Sequence, residues 1–203
     1  MKRHQIKRET DLQIISGWIG DNTRILDVGC GRGILLEHLQ RNKSAQVLGV
    51  DSSLGKIQSC IRRGVPAYHG DAARLLDEFA PSSFDWVILS RTVQELEAPG
   101  ELIQRALTVG RNVAVGFVNY GYWLNRLSVL RTGSRPTNEV FPLSWEQNGP
   151  YNPVTIAGFT EFTQRNEIAV RKTVFLRGDW RRPVRRFPNL LAGYALFHLS
   201  STV

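Results

Sequence analysis

Residues 25–33 read ILDVGCGRG: an apolar strand-like run, an acid at Asp27, then glycine at every second position, Gly29, Gly31 and Gly33. Branched apolar residues leading into a glycine-rich turn, followed by the helix-period segment Gly33 to Leu39, form a strand, loop and helix unit. Such a unit puts its loop at the carboxyl end of the first strand, where open α/β sheets bind ligands. Glycine there permits positive φ and removes the side chains that would hold a ligand away from the backbone. The dinucleotide pattern G-x-G-x-x-G requires glycine at position 34, and Ile34 stands there.

Working outward, the unit repeats. Further strands are expected at Gln46 to Val50, Ala67 to His69, Trp86 to Leu89 and Asn112 to Phe117, with helices between them, including Leu54 to Arg63 closed by Gly64 and one opened by Pro99. The fold expected is α/β, a doubly wound and mostly parallel sheet in a three-layer sandwich. After Phe117 the alternation weakens, and residues 119–153 read as a lid or insert, with a helix from Tyr122 to Leu130. Thr155 is an N-cap candidate, and Ile168 to Leu176 with Tyr194 to Leu199 are expected to close the sheet as an antiparallel hairpin around a basic turn, Gly178 to Pro188. The 203 residues, 42% hydrophobic, suit one domain over 1–203.

Three acids fall at the ends of successive strands: Asp27, Asp51 in LGVDSS, and Asp71 in HGDA. Acid plus G-x-G-x-G suits S-adenosylmethionine or S-adenosylhomocysteine better than a dinucleotide, because these ligands have no pyrophosphate for the helix N-terminus and carry an ammonium that Asp27 can offset. Asp51 is at the spacing of an acceptor for a ribose diol, and Asp71 for an adenine amino group. Each acid also suits a helix N-cap, Asp71 above all. The cofactor-side candidates are Asp27, Gly29, Cys30, Gly31, Gly33, Asp51, Ser52, Asp71, Ala72 and Ser90. On the substrate side, Arg91, Thr92 and Gln94 follow the fourth strand, and Asn119, Tyr120, Tyr122 and Trp123 follow the fifth. Arg91 as a carboxylate clamp and the tyrosines as orienting groups compete with a surface ion pair and a small core under a lid. His69 is a base candidate or a hydrogen-bonded structural histidine.

Charge and cysteine content exclude other classes. Cys30 and Cys60 lack zinc or CxxC spacing, no histidine has metal-ligand spacing, and two thiols fit a reduced, cytoplasmic protein. The amino-terminal MKRHQIKRETDLQ has no apolar core of a signal peptide, and the apolar stretch Leu190 to Leu199 is too short to span a bilayer. The net charge of +8 is concentrated between Arg165 and Arg186. That cluster suits a solvated face, an acidic partner, an anionic metabolite or nucleic acid. Ser90-Arg91-Thr92 replaces the Asn/Asp-Pro-Pro-aromatic signature of amino-methylating enzymes, which argues against nucleic-acid bases as substrates.

The blocks ILDVGCGRGILLEHL, LGVDSS, CIRRGV, GDA, FDWVILSRTVQEL, VGFVNYGYWLNRLSVLRTGSRP, FPLSW and RFPNLLAGYALFHL resemble class I methyltransferases, and more narrowly the methionine biosynthesis protein MetW family. That resemblance implies a class I methyltransferase fold of seven strands with the closing hairpin. It also implies a cytoplasmic role in methionine synthesis beside a homoserine O-acyltransferase. The chain has no G-x-S-x-G nucleophile elbow, so acylation of homoserine falls to the partner. Whether the chain itself transfers methyl groups to a small metabolite stays open, since in-line displacement demands alignment more than a base.

Overall fold

The computed structural model describes residues 3–134, 136–137 and 151–201, with side chains from residue 10 onward. Seven strands form one sheet: β1 (Arg24–Val28), β2 (Gln46–Asp51), β3 (Ala67–His69), β4 (Phe84–Ser90), β5 (Gly110–Val118), β6 (Ala169–Leu176) and β7 (Tyr194–Ser200). Their order is β3-β2-β1-β4-β5-β7-β6, with β1 to β5 parallel and β7 antiparallel to both neighbours. The chain winds outward from β1 through β2 to β3, then returns to β4 on the other side. The crevice this reversal leaves is at the carboxyl ends of β1 and β4.

Alternation along the strands builds two cores. On one face Ile25, Trp86, Ile88 and Ala114 meet α1 (Arg3–Trp18), α2 (Ile34–Lys43), α3 (Leu54–Arg62) and α6 (Trp123–Thr132) through residues such as Ile15, Leu36, Ile57 and Tyr122. On the other, Leu26, Val28, Val87, Val113 and Phe117 meet α4 (Ala72–Asp77), α5 (Pro99–Val109) and α7 (Ile156–Arg165) through Leu76, Leu102, Ala106 and Phe159. Each fully buried Leu, Ile or Phe contributes about 1.5–3 kcal/mol, and because both faces are covered the strands read as unbroken apolar runs.

The structure bears out the sheet and its hairpin. Three helices have no counterpart among the expected elements: α1, in the charged amino-terminal stretch, the short α4, and a third before β7. That third is the four-residue α8 (Pro188–Leu191), which interrupts the connection. Of the expected lid over 119–153, residues 123–132 form α6, while 135 and 138–150 lie outside the described residues.

Candidate cofactor site

Asp27 pairs in register with Gly49 of β2 on one side and Ile88 of β4 on the other, so its carboxylate sits at the centre of the crevice. After it the chain turns sharply, and the amides of Gly29 and Cys30 donate to the Val50 carbonyl at 2.8 and 3.1 Å. The turn needs left-handed backbone at Gly29 (φ 76°) and Gly31 (φ 59°). The two glycines differ in surroundings. A Cβ on Gly29 would collide with the Thr92 hydroxyl at 2.3 Å, whereas one on Gly31 would meet nothing within 4 Å and project into open space. Gly29 is bare so that the loop can pack on Thr92 in the segment that follows β4. Gly31 is bare beside a cavity.

That cavity encloses about 1010 Å³ over the carboxyl ends of β1 to β4, at the upper end of the range of about 300–1,000 Å³ for small-molecule sites. Among the described residues seven carboxylates line it against four basic side chains, which favours a cationic ligand. Asp27, Gly29, Cys30, Gly31, Asp51, Ser52, Asp71, Ala72 and Ser90 all line it. Gly33 does not: it precedes α2 in left-handed conformation (φ 72°), where a Cβ would press on the Cys60 sulfur at 2.9 Å.

The three acids are in distinct states. Asp27 is buried with no hydrogen-bond donor to its carboxylate among the described residues, and burial, with the Asp51 charge adding to it, raises its pKa from 3.8 to about 7. Asp51 is buried but well supplied: the Gly31 amide (3.1 Å) and Lys56 ammonium (3.2 Å) donate to one oxygen, and the Ser53 amide (2.9 Å) to the other. Of the roughly four acceptor positions of a carboxylate, it retains room for one more partner. Asp71 is exposed, and one of its oxygens accepts the Ala73 amide at 2.8 Å as the N-cap of α4. Its other oxygen pairs loosely with the exposed Arg74 at 4.0 Å, so N-cap and cavity wall coincide in one residue.

The substrate-side candidates are engaged elsewhere. Arg91, in left-handed conformation (φ 63°), donates to the Asp11 carboxylate through Nε (2.9 Å) and Nη2 (2.7 Å), and lies 4.4 Å over the Trp180 ring. Burial opposes its charge, but Asp11 and Tyr194 together more than offset this and keep it cationic. Thr92 donates to the Val28 carbonyl at 2.7 Å. Both line the cavity, but Gln94, Asn119, Tyr120 and Tyr122 do not. Gln94 is buried and bridges Val118 through both backbone groups. Asn119 donates to the carbonyls of Asn189 and Ala192 and accepts the amides of Gly121 and Ile156, tying β5 to α7 and α8. The Tyr120 amide donates to Val154, and buried Tyr122 precedes α6 with Trp123 half-exposed beside it. His69 is an exposed residue held to the Ser52 carbonyl at 3.0 Å, outside the cavity lining.

Sequence reasoning missed the contribution of α1, whose Asp11, Leu12 and Ile15 line the cavity, and that of Glu95, Glu97, Glu101 and Arg105. The i, i+3 spacing of Leu12 and Ile15 was the available signal for α1. Cys30 and Cys60 are buried with sulfurs 3.9 Å apart, and burial pushes both thiols up, so they stay protonated. Among the described residues no cluster of His, Cys, Asp or Glu suits a metal, and no helix is long and apolar enough to cross a membrane.

The family model described as methionine biosynthesis protein MetW matches residues 9–199. The chain belongs to this family. The bifunctional methionine biosynthesis protein MetXA/MetW of Rhodopirellula baltica is 27% identical over 206 residues, covering 95% of this chain and 32% of that protein. The MetW chain thus spans about a third of the length of that relative. A SAM-dependent methyltransferase from Archaeoglobus fulgidus matches with TM-score 0.65 at 15% identity, covering 98% of this chain and 95% of that one. The magnesium protoporphyrin IX methyltransferase of Synechocystis, solved with bound SAH, matches with TM-score 0.66 at 16% identity, covering 97% and 84%. These likenesses show that the MetW chain has the Rossmann-like class I methyltransferase fold.

Proposed function

We propose that this MetW-family chain binds S-adenosylmethionine or S-adenosylhomocysteine in the cavity and acts in methionine biosynthesis by docking on a homoserine O-acyltransferase. The observation that carries the ligand half is Asp27: a buried carboxyl without a donor, beside a glycine whose missing Cβ leaves open space. A carboxyl at a cavity wall that its own chain does not engage has its acceptor positions free for a ligand's ammonium. In this reading Asp27 balances the ligand's ammonium, Asp51 uses its remaining acceptor position on the ribose, and Asp71 with Ala72 borders the adenine. The bound sulfonium form would supply an electrophilic methyl group. The chain offers it a binding site, while Arg91, Thr92, Gln94 and Asn119 hold the protein's own backbone and side chains rather than an acceptor. This favours an accessory role over turnover. The partner half rests on the family resemblance and on the relative that joins MetXA and MetW names in one protein.

Isothermal titration with S-adenosylhomocysteine tests the ligand half: one site per chain is expected, and no binding at millimolar ligand overturns it. Titration with the organism's homoserine O-acyltransferase, with and without the nucleoside, tests the partner half. Unequal affinities would show that cofactor and partner regulate one another, a coupling that must be reciprocal. Methyl transfer to a small metabolite is the second reading, favoured by Glu95 and Glu101 in the cavity wall as unassigned proton acceptors. Labelled cofactor incubated with a metabolite extract should then yield a labelled product, and none from cofactor-binding protein rejects it.

A further inference from the structure

We infer that the connection 177–191 between β6 and β7 is a protein-docking surface, built for a partner with an acid-rimmed apolar pocket that receives Phe187. The inference rests on the partner reading above and gives that partner a place and a chemistry.

Within this connection Arg177, Arg181, Arg182, Arg185 and Arg186 are all exposed. So are Phe187, Leu190 and Leu191, with Phe187 73% accessible. The segment's one acid, Asp179, is already engaged: it accepts the Arg181 and Arg182 amides and pairs with the Arg182 side chain at 3.7 Å. Among the described residues no carboxylate lies within ion-pair distance of Arg177, Arg181, Arg185 or Arg186. Four exposed guanidinium groups thus share one connection with an exposed apolar tip, without an ion-pair partner among the described residues.

The display is held from below. Trp180 stacks on Tyr194 with ring centroids 3.8 Å apart, the buried Val184 donates its amide to Phe175 at 2.8 Å, and Asn119 clamps Asn189 and Ala192. Phe187 itself has left-handed backbone (φ 49°, ψ 51°), and its carbonyl accepts the amides of Leu190 (3.0 Å) and Leu191 (2.9 Å). A residue before proline favours extended backbone, and a bulky L-residue adopts the left-handed conformation seen here at a cost that glycine avoids. The backbone here caps α8, but that role requires no aromatic, and the exposed Phe187 side chain buries little in return for the strain. Strain of this kind at a surface points to a binding role.

The side chains discriminate among occupants. Arginine with exposed aromatic and aliphatic anchors is the composition of protein interfaces, and an anchored backbone lowers the ordering cost of docking. Arginine meets carboxylate and phosphate equally well, so the discriminating feature is the exposed apolar set Phe187, Leu190 and Leu191, which suits a pocket in a protein better than a phosphate backbone. A second copy of this chain would oppose arginine to arginine, so self-association through this face is disfavoured by charge.

The test titrates the homoserine O-acyltransferase against wild-type protein, Phe187→Gly, Arg185→Glu and a remote control, Arg62→Glu, reading Kd and thermal midpoint together. Phe187→Gly relieves the backbone strain, so its midpoint should equal or exceed wild type while affinity falls at least tenfold. Arg185→Glu should lose about tenfold and more at low salt, and Arg62→Glu nothing. All variants should bind S-adenosylhomocysteine as wild type does. Unchanged affinity in both connection variants overturns the docking surface even if the partner binds. Failure of wild type to bind the acyltransferase overturns the functional reading, and this inference with it. Connection-dependent binding to single-stranded RNA or phosphatidylglycerol vesicles, without effect on the acyltransferase, also overturns it.

Discussion

The carboxyl edge of the sheet has two halves that treat their polar side chains in opposite ways. At the ends of β1, β2 and β3, Asp27 is left without a donor, Asp51 has one acceptor position to spare, and exposed Asp71 lines the cavity while capping α4. Beyond β4 and β5, Arg91 is locked to Asp11, Gln94 to Val118 and Asn119 to four backbone groups. A polar side chain held in reserve predicts a ligand, whereas one saturated by its own chain predicts a structural joint. The first half therefore has the form of a receptor site, and the second that of a hub for α6, α7 and α8.

The difference is broken most forcefully at Asn119. Its replacement by alanine strands two amides and two carbonyls in the core, each worth about 1 kcal/mol or more. Asn119→Ala should cost about 4 kcal/mol of stability in urea unfolding, and surviving folded protein should retain its nucleoside affinity. Lost affinity at unchanged stability would move Asn119 to the ligand side.

Asp27→Asn should do the reverse. Removing the charge opposite an ammonium costs about 1.5–3 kcal/mol, or about 10- to 100-fold in Kd. Stability without ligand should instead increase, and the sign can be worked through. The folded carboxyl has a pKa of about 7 against an ordinary 3.8, so the native state holds the proton more tightly. This contribution is fully favourable below about pH 4 and is lost as pH rises to about 7, a difference of about 4 kcal/mol at most. Wild-type thermal midpoints should therefore fall between pH 4 and 7 relative to Asp27→Asn. Stabilisation by the cationic nucleoside should grow over the same interval, because only ionised Asp27 attracts it. Parallel pH profiles for the two proteins would remove Asp27 from the receptor half.

How much of this was legible follows the same division. Glycine spacing and strand-end acids are local patterns, so the receptor half could be read from 25–33, 48–52 and 69–72. The hub could not, because Gln94 meets Val118 and Asn119 meets Asn189 and Ala192 across separations that no periodicity encodes. A side chain's type suggested acceptor chemistry. Only its partners showed that the hydrogen-bonding capacity was already taken. The same limit hid Asp11, one acid in a charged amino-terminal stretch until Arg91 gave it a place.

The smallest expected effect concerns Lys56, and it sharpens what reserve means at Asp51. The ammonium is half-exposed and shares the Asp51 oxygen that the Gly31 amide also uses. Exposed ion pairs contribute about 0–1 kcal/mol, so fold stability should barely respond to its loss. If Asp51 accepts the ribose, Lys56→Met frees one more acceptor position and should tighten S-adenosylhomocysteine by no more than about threefold, less than 1 kcal/mol. Weakening by tenfold would instead make Lys56 part of the ligand's own surroundings. Asp51 would then be a support for the Gly31 loop and not a receptor group.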